Sequence, residues 1–248
     1  MDHFQPNRHG RHWAAGLTLA IALIGAHSAA AQTQEAANAC GPLRAGSVSE
    51  GPYDYRVDRG RIAFIESNHF QPQVQALTGG VSGPIGAELD FVLRFVPNHH
   101  KALLLLITYG ERLKWAQPPG LRYPYECWYE RAIRWRADDA VVRMIYAMYL
   151  NKRSRTNDAL AQLNSATVIA GDSGFTHYNV GLIYLEMKEY DLALAQAHKA
   201  QSLGFDRTTL RDQLKAVNKW KDAPTETATA ASAAASQPPS AAASAAGQ

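Results

Sequence analysis

The shift along the sequence that carries Ala147 onto Gly181 places small residues on small residues through the second half of the chain. It also carries Ala159 onto Ala193, and Ala132 onto Ala166 and then onto Ala200. Asp139 falls on Ser173, and both are residue types that cap the start of a helix. A fixed repeat of about 34 residues restricts the chain to stacked helix–turn–helix units. Two antiparallel helices joined by a short turn approach closely only where the side chains at their crossing are small. The high helix propensity of Ala accounts for its abundance but not for its recurrence. In "YNVGLIYLEMKEYDLALAQAHKAQSLGF", Gly181 and Ala193 supply that close approach. Ala200 serves the next unit, and Tyr184 and Tyr190 fill the volume beside the crossing.

These residues resemble the tetratricopeptide repeat family. Gly181, Tyr184, Tyr190, Ala193 and Ala200 stand at its signature positions, with Val180 where a leucine is usual. The preceding unit, "DAVVRMIYAMYLNKRSRTNDALAQLNSATVIAGD", is similar through Ala147, Leu150, Ala159, Leu163 and Ala166. Before it, "YECWYERAIRWRADD" looks like the second helix of another unit through Tyr129, Ala132 and Ile133. Its first helix would be "NHHKALLLLITYGERL", with Asn98 as the cap. Two features depart from the pattern. "KWAQPPGLRYP" replaces the tight turn, and His177 stands where the family carries a large aromatic or aliphatic residue. The resemblance covers residues 97–205. It implies an all-α fold, a short α-solenoid of helix–turn–helix repeats, whose inner face binds a protein or peptide.

The flanks read differently. Residues 1–31 carry Arg8 and Arg11, an apolar run from Trp13 to Ala26, and Ser28-Ala29-Ala30-Ala31, the pattern of a secretory signal peptide. The apolar run is short of the ~20 residues that a spanning helix needs. Cleavage before Gln32, a periplasmic location and no membrane span in the mature chain are therefore expected. Residues 32–96 read as an extended and helical N-terminal cap, with short helices over 72–78 and 85–95. "RIAFIESNHF" is ambiguous between helix and strand. In residues 206–222, "TTLRDQLKAVNKW" spaces Leu210, Leu214 and Val217 as a helix that would cover the open end of the array. Residues 223–248 are nearly all Ala, Ser, Thr, Pro and Gln, a composition expected to be disordered.

With 25 basic and 22 acidic residues, the chain has no electrostatic reason to bind nucleic acid. The "RAIRWR" cluster of Arg131, Arg134 and Arg136 reads first as a solvated helix face and second as a contact for an acidic partner. Cys40 and Cys127 are the two cysteines, so one disulfide is the simplest expectation for an exported chain. It would pin the stretch after Cys40 onto the helix holding Cys127. No nucleophile motif, phosphate loop or paired-cysteine zinc pattern occurs, so neither enzymatic activity nor a cofactor is expected. The alternative is a metal-binding protein or small metal-dependent enzyme using His69, Asp90, His99 and His100, with Glu66 nearby. Adjacent histidines on one helix diverge, which weakens that alternative. The main expectation is a scaffold or adaptor of the bacterial cell envelope. One helical face away from the crossings lie Met144, Met148, Asn151, Tyr178, Asn179, Leu182 and Leu185. Flexible apolar and aromatic side chains on a concave face suit a peptide site, and burial in the core is the competing reading. Two and a half repeats make a short array, so caps or a homo-oligomer would complete it.

Overall fold

The computed structural model describes residues 39–43 and 51–223. The expected signal peptide and low-complexity tail lie outside these residues. Among the described residues there are ten helices and no strand, in agreement with an all-α reading. The chain divides after Ala137 into two compact units.

The N-terminal unit holds α1 (Arg59–His69), α2 (Pro72–Gln75), α3 (Ile85–Phe95), α4 (His100–Leu113) and α5 (Tyr125–Trp135). The ambiguous "RIAFIESNHF" is helical in α1, which buries Ile62 and Ile65 and packs against α3. Leu89, Val92 and Leu93 form the apolar stripe of α3 and are fully enclosed. The stripe of α4 runs through Ala102, Leu103, Leu106 and Ile107. Tyr129 of α5 closes on α4 by donating its hydroxyl to the Leu103 carbonyl at 3.1 Å.

Cys40 and Cys127 are bridged, with Cα atoms 5.0 Å apart. Beside the bridge, Arg131 is 1% exposed, so it is not part of a solvated face. Its Nη1 donates to the Cys40 carbonyl at 2.9 Å and the Pro42 carbonyl at 2.7 Å, with the Gly41 and Leu43 carbonyls at 3.3 and 3.5 Å from the guanidinium. The rings of Tyr123 and Trp128 flank the same group. Gly41 has φ +66°, and a Cβ there would collide with the Tyr123 hydroxyl. Arg136 is also occupied, donating to Asp54. Asp54 accepts from Arg56 and Asn98 as well, and these bonds outweigh burial to hold its carboxyl well below the usual range.

The C-terminal unit holds α6 (Ala140–Lys152), α7 (Thr156–Ala170), α8 (Gly174–Glu186), α9 (Tyr190–Ser202) and α10 (Thr209–Ala216). α6 pairs with α7 and α8 with α9 as two helical hairpins. The backbone repeats with the sequence: Ala140 to Gly174 and Thr156 to Tyr190 are the same step that carries Ala147 onto Gly181. Asp139 and Ser173 cap α6 and α8 by accepting from backbone amides. Ser154 and Lys188, one such step apart, are both left-handed, with φ 59° and 65°. The amide of Arg155 then reaches the Leu150 carbonyl, and that of Glu189 the Tyr184 carbonyl, at 3.0 and 2.9 Å. One turn is thus built twice from different side chains. Ala147, Ala159, Ala166 and Ala193 have no exposed surface. His177 has an oxygen partner at each ring nitrogen in its interior place, the Gly171 carbonyl at Nε2 and Gln196 Oε1 at Nδ1.

α10 packs on α8 and α9, burying Leu210 and Leu214. Val217 lies beyond its end and is 42% exposed, because the chain turns left-handed at Asn218. A Cβ at Gly181 would lie 2.5 Å from Leu210 Cδ2 and 3.3 Å from Gln196 Cβ. The glycine therefore admits α9 on one side and α10 on the other. Gly181→Leu is expected to cost about 1–3 kcal/mol or more by overpacking, against a helix-propensity gain of at most about 1 kcal/mol. Thermal unfolding followed by circular dichroism checks this, and wild-type melting would show that the crossing lies elsewhere. Arg131→Met leaves two well-bonded carbonyls without a donor and is expected to cost about 2–4 kcal/mol. Arg134→Met, on the exposed side of α5, should cost much less when both variants are unfolded in urea, and equal losses would contradict the role of the buried guanidinium.

Candidate functional site

The face expected to bind peptide lies on α6 and α8. Because these helices start one repeat apart, Met144 and Tyr178, Met148 and Leu182, and Asn151 and Leu185 occupy equivalent positions. The structure grades this face along its length. Met144 and Tyr178 are 5% and 6% exposed, so the first pair belongs to the core rather than to an open surface. Tyr178 packs its ring 5.1 Å from that of Phe205. Met148, Asn151, Leu182 and Leu185 are half-buried, offering apolar edges and one amide toward the C-terminal ends of the helices. Asn179 is half-buried, and its Nδ2 donates to the Phe175 carbonyl one turn back, which occupies the amide locally.

The second candidate region, in the N-terminal unit, resolves into separate pairs. His69 Nδ1 bonds Glu88 Oε2 at 2.8 Å, and its ring stacks on Phe91. Asp90 accepts from Arg94 Nε at 2.7 Å and from the Arg122 amide at 2.9 Å. His100 lies edge-on to Tyr55. Among the described residues, no three His, Cys, Asp or Glu side chains come together in a metal-holding group. Glu88 is the carboxylate that sequence reasoning missed. Burial raises its pKa, but the Ser82 amide, His69 and the Val81 amide outweigh that and leave it below the ordinary value. It is an ionised anchor for the loop before α3 rather than an acid. The signals in the sequence were weak: an Asp90–Arg94 pair one helical turn apart, and a Glu in the first turn of α3.

His99, rather than Asn98, caps α4. Its Nδ1 accepts from the Ala102 amide at 3.1 Å, which leaves Nε2–H to donate to Glu66 at 3.1 Å. Asn98 instead turns inward, accepting from the Tyr55 amide and donating to Asp54. Tyr55 and Phe70 enclose the His99 ring. Burial above all, with the His100 and Lys101 charges adding to it, holds the His99 pKa at about 3. Protonating Nδ1 would also set a second donor against the Ala102 amide. His99 is thus a neutral structural cap, with no nitrogen left for proton transfer.

No helix among the described residues is long and apolar enough to cross a membrane. Compared with known proteins, the chain matches no family model and no curated protein.

The folded-state pKa of His99 lies below its unfolded value, so the unfolded state binds more protons between the two. Its contribution to stability is complete above the unfolded pKa and is lost as pH falls from there toward about 3. Between pH 7 and 5 this amounts to about 2 kcal/mol, taking an unfolded pKa of about 6.5. His99→Asn keeps a capping oxygen without a titrating ring, so the variant should lose about that much less over this interval. Urea unfolding at both pH values measures the difference, and an unchanged pH dependence would place the proton uptake on another group.

Proposed function

We propose that the chain is an exported scaffold of the tetratricopeptide repeat type in the bacterial cell envelope, which binds a protein or peptide partner. The observation that carries this reading is the recurrence, at one fixed period, of helix starts, caps and turn hydrogen bonds in α6–α9. Units of this kind bury their cores only against neighbours and present successive equivalent positions along one face. Met148, Asn151, Leu182 and Leu185 are those positions here, half-buried and mainly apolar or flexible. Such side chains suit an extended or helical peptide better than a small reacting group. The Cys40–Cys127 disulfide is compatible with an oxidising, exported location, and the signal-like residues 1–31 supply a route to the periplasm.

A photo-crosslinking amino acid placed at Met148 or Leu182, in cells that export the chain, is expected to trap one discrete partner. The same residue at Val168, which is 82% exposed on α7, should trap none of it. Equal trapping at Val168, or no adduct at Met148 and Leu182, would move the binding face away from α6 and α8.

A further inference from the structure

We propose that a cleft in the N-terminal unit binds a small molecule bearing an oxyanion, a carboxylate or phosphate, beside an apolar part. The cleft has a volume of about 380 Å³, within the range of small-ligand pockets. Its lining includes His69, Glu88, Asp90, Phe91, Arg94 and Arg122. The hydrogen-bond inventory sets the ligand chemistry. Glu88 Oε1 already accepts from the amides of Val81, Ser82 and Gly83, and Oε2 from His69. Both Asp90 oxygens are occupied as well, by the Arg122 amide and Arg94 Nε.

The donors are in excess. Arg94 uses Nε alone, so its two Nη groups have no acceptor among the described residues. The Arg122 guanidinium makes no hydrogen bond among them, its Nε standing 3.9 Å from Asp90. Asp90 holds both arginines at one carboxylate, and Phe91 lies 5.5 Å from the Arg94 guanidinium. An incoming cation would meet two guanidiniums and carboxylates whose oxygens each already accept a hydrogen bond. An oxyanion would meet free, forked N–H donors, the geometry that guanidinium groups match best. The Phe91 ring, stacked on His69 at 3.7 Å, gives the apolar part of such a ligand a surface.

Calorimetry on the full-length exported protein, with benzoate, phenyl phosphate and benzylamine as probes, tests this. Benzoate or phenyl phosphate is expected to bind saturably and benzylamine not at all, and the tighter of the two anions assigns the oxyanion. Arg122→Gln should weaken anion binding about tenfold or more, since each charge-assisted bond contributes at least about that factor. The Arg122 side chain is half-exposed and its one pairing is the 3.9 Å approach to Asp90, so this variant should keep the wild-type circular dichroism. Arg94→Gln should weaken binding too, but it also frees Asp90, so its fold is checked in parallel. Undiminished anion binding in Arg122→Gln, equal binding of benzylamine, or no binding of either anion overturns the proposal.

Discussion

At Gly181 there is no room for a side chain. A Cβ there would overlap the end of Leu210 from α10, with Gln196 and the Ala193 carbonyl of α9 in tight contact on the other side. Everything in the C-terminal unit is arranged around crossings of this kind. Ala147 and Ala159 are the equivalent residues of the α6–α7 hairpin and are completely enclosed. Small residues bury little apolar surface themselves, so their value lies in bringing the backbones together. The neighbouring Leu150, Leu163 and Tyr184 then fill the flanking space, and all three are enclosed. Tyr184 adds a hydrogen bond from its hydroxyl to Asn164 of α7, which ties one hairpin to the next. Such a unit is stiff where it is packed and leaves the outer parts of α6 and α8 as a regular surface.

The N-terminal unit is held by a different kind of contact. Its segments without regular structure are fastened by buried polar groups: Arg131 for residues 40–43, Asp54 for the chain entering α1, and Glu88 for residues 81–83. Each of these groups meets several partners at once, and those hydrogen bonds offset its desolvation cost, although the buried Nε of Arg131 has no partner among the described residues. Burial still lowers the Arg131 pKa, the electrostatic measure of taking a guanidinium out of water. The disulfide beside it joins positions separated by 87 in the sequence and removes unfolded conformations, a stabilisation of about 4–5 kcal/mol on the chain-entropy estimate.

The helical hairpins could be read in the sequence because small-residue recurrence and capping residues are local signals of one fixed period. The helix of residues 85–95 and the pairing of Cys40 with Cys127 were legible for similar reasons: a proline start, an apolar stripe and a single connectivity. What escaped depends on long-range partners. Nothing near Arg131 in the sequence announces the carbonyls of residues 40–43, far back along the chain. His99 and Asn98 are both open to a capping role in isolation, and Asp54 and Glu66 decide between them. A second spacing was also hidden. α3 and α5, Ile85–Phe95 and Tyr125–Trp135, are equal in length, each after a proline cap and with matching C-terminal dihedrals. The offset between them recurs between α4 and α6, which begin at His100 and Ala140. The longer connection between α4 and α5 makes this offset larger than the period of the later hairpins, so a shift of one fixed length passes over it. In the candidate binding face, helical register sets the residues at equivalent positions of α6 and α8, but burial of Met144 and Tyr178 depends on packing that register alone does not encode.

Duplication of one unit tests most directly whether the sequence repeat is also the structural module. Inserting a second copy of residues 140–173 between Ser173 and Gly174 extends the chain by one hairpin and repeats an existing helix-to-helix contact. If each hairpin is a unit stabilised by its neighbours, the longer protein should be monomeric, gain helical signal in proportion to its added residues, and unfold at the same or a higher temperature. Loss of helical signal per residue, aggregation, or a lower unfolding temperature would contradict a modular repeat and mark the recurrence as a coincidence of two hairpins.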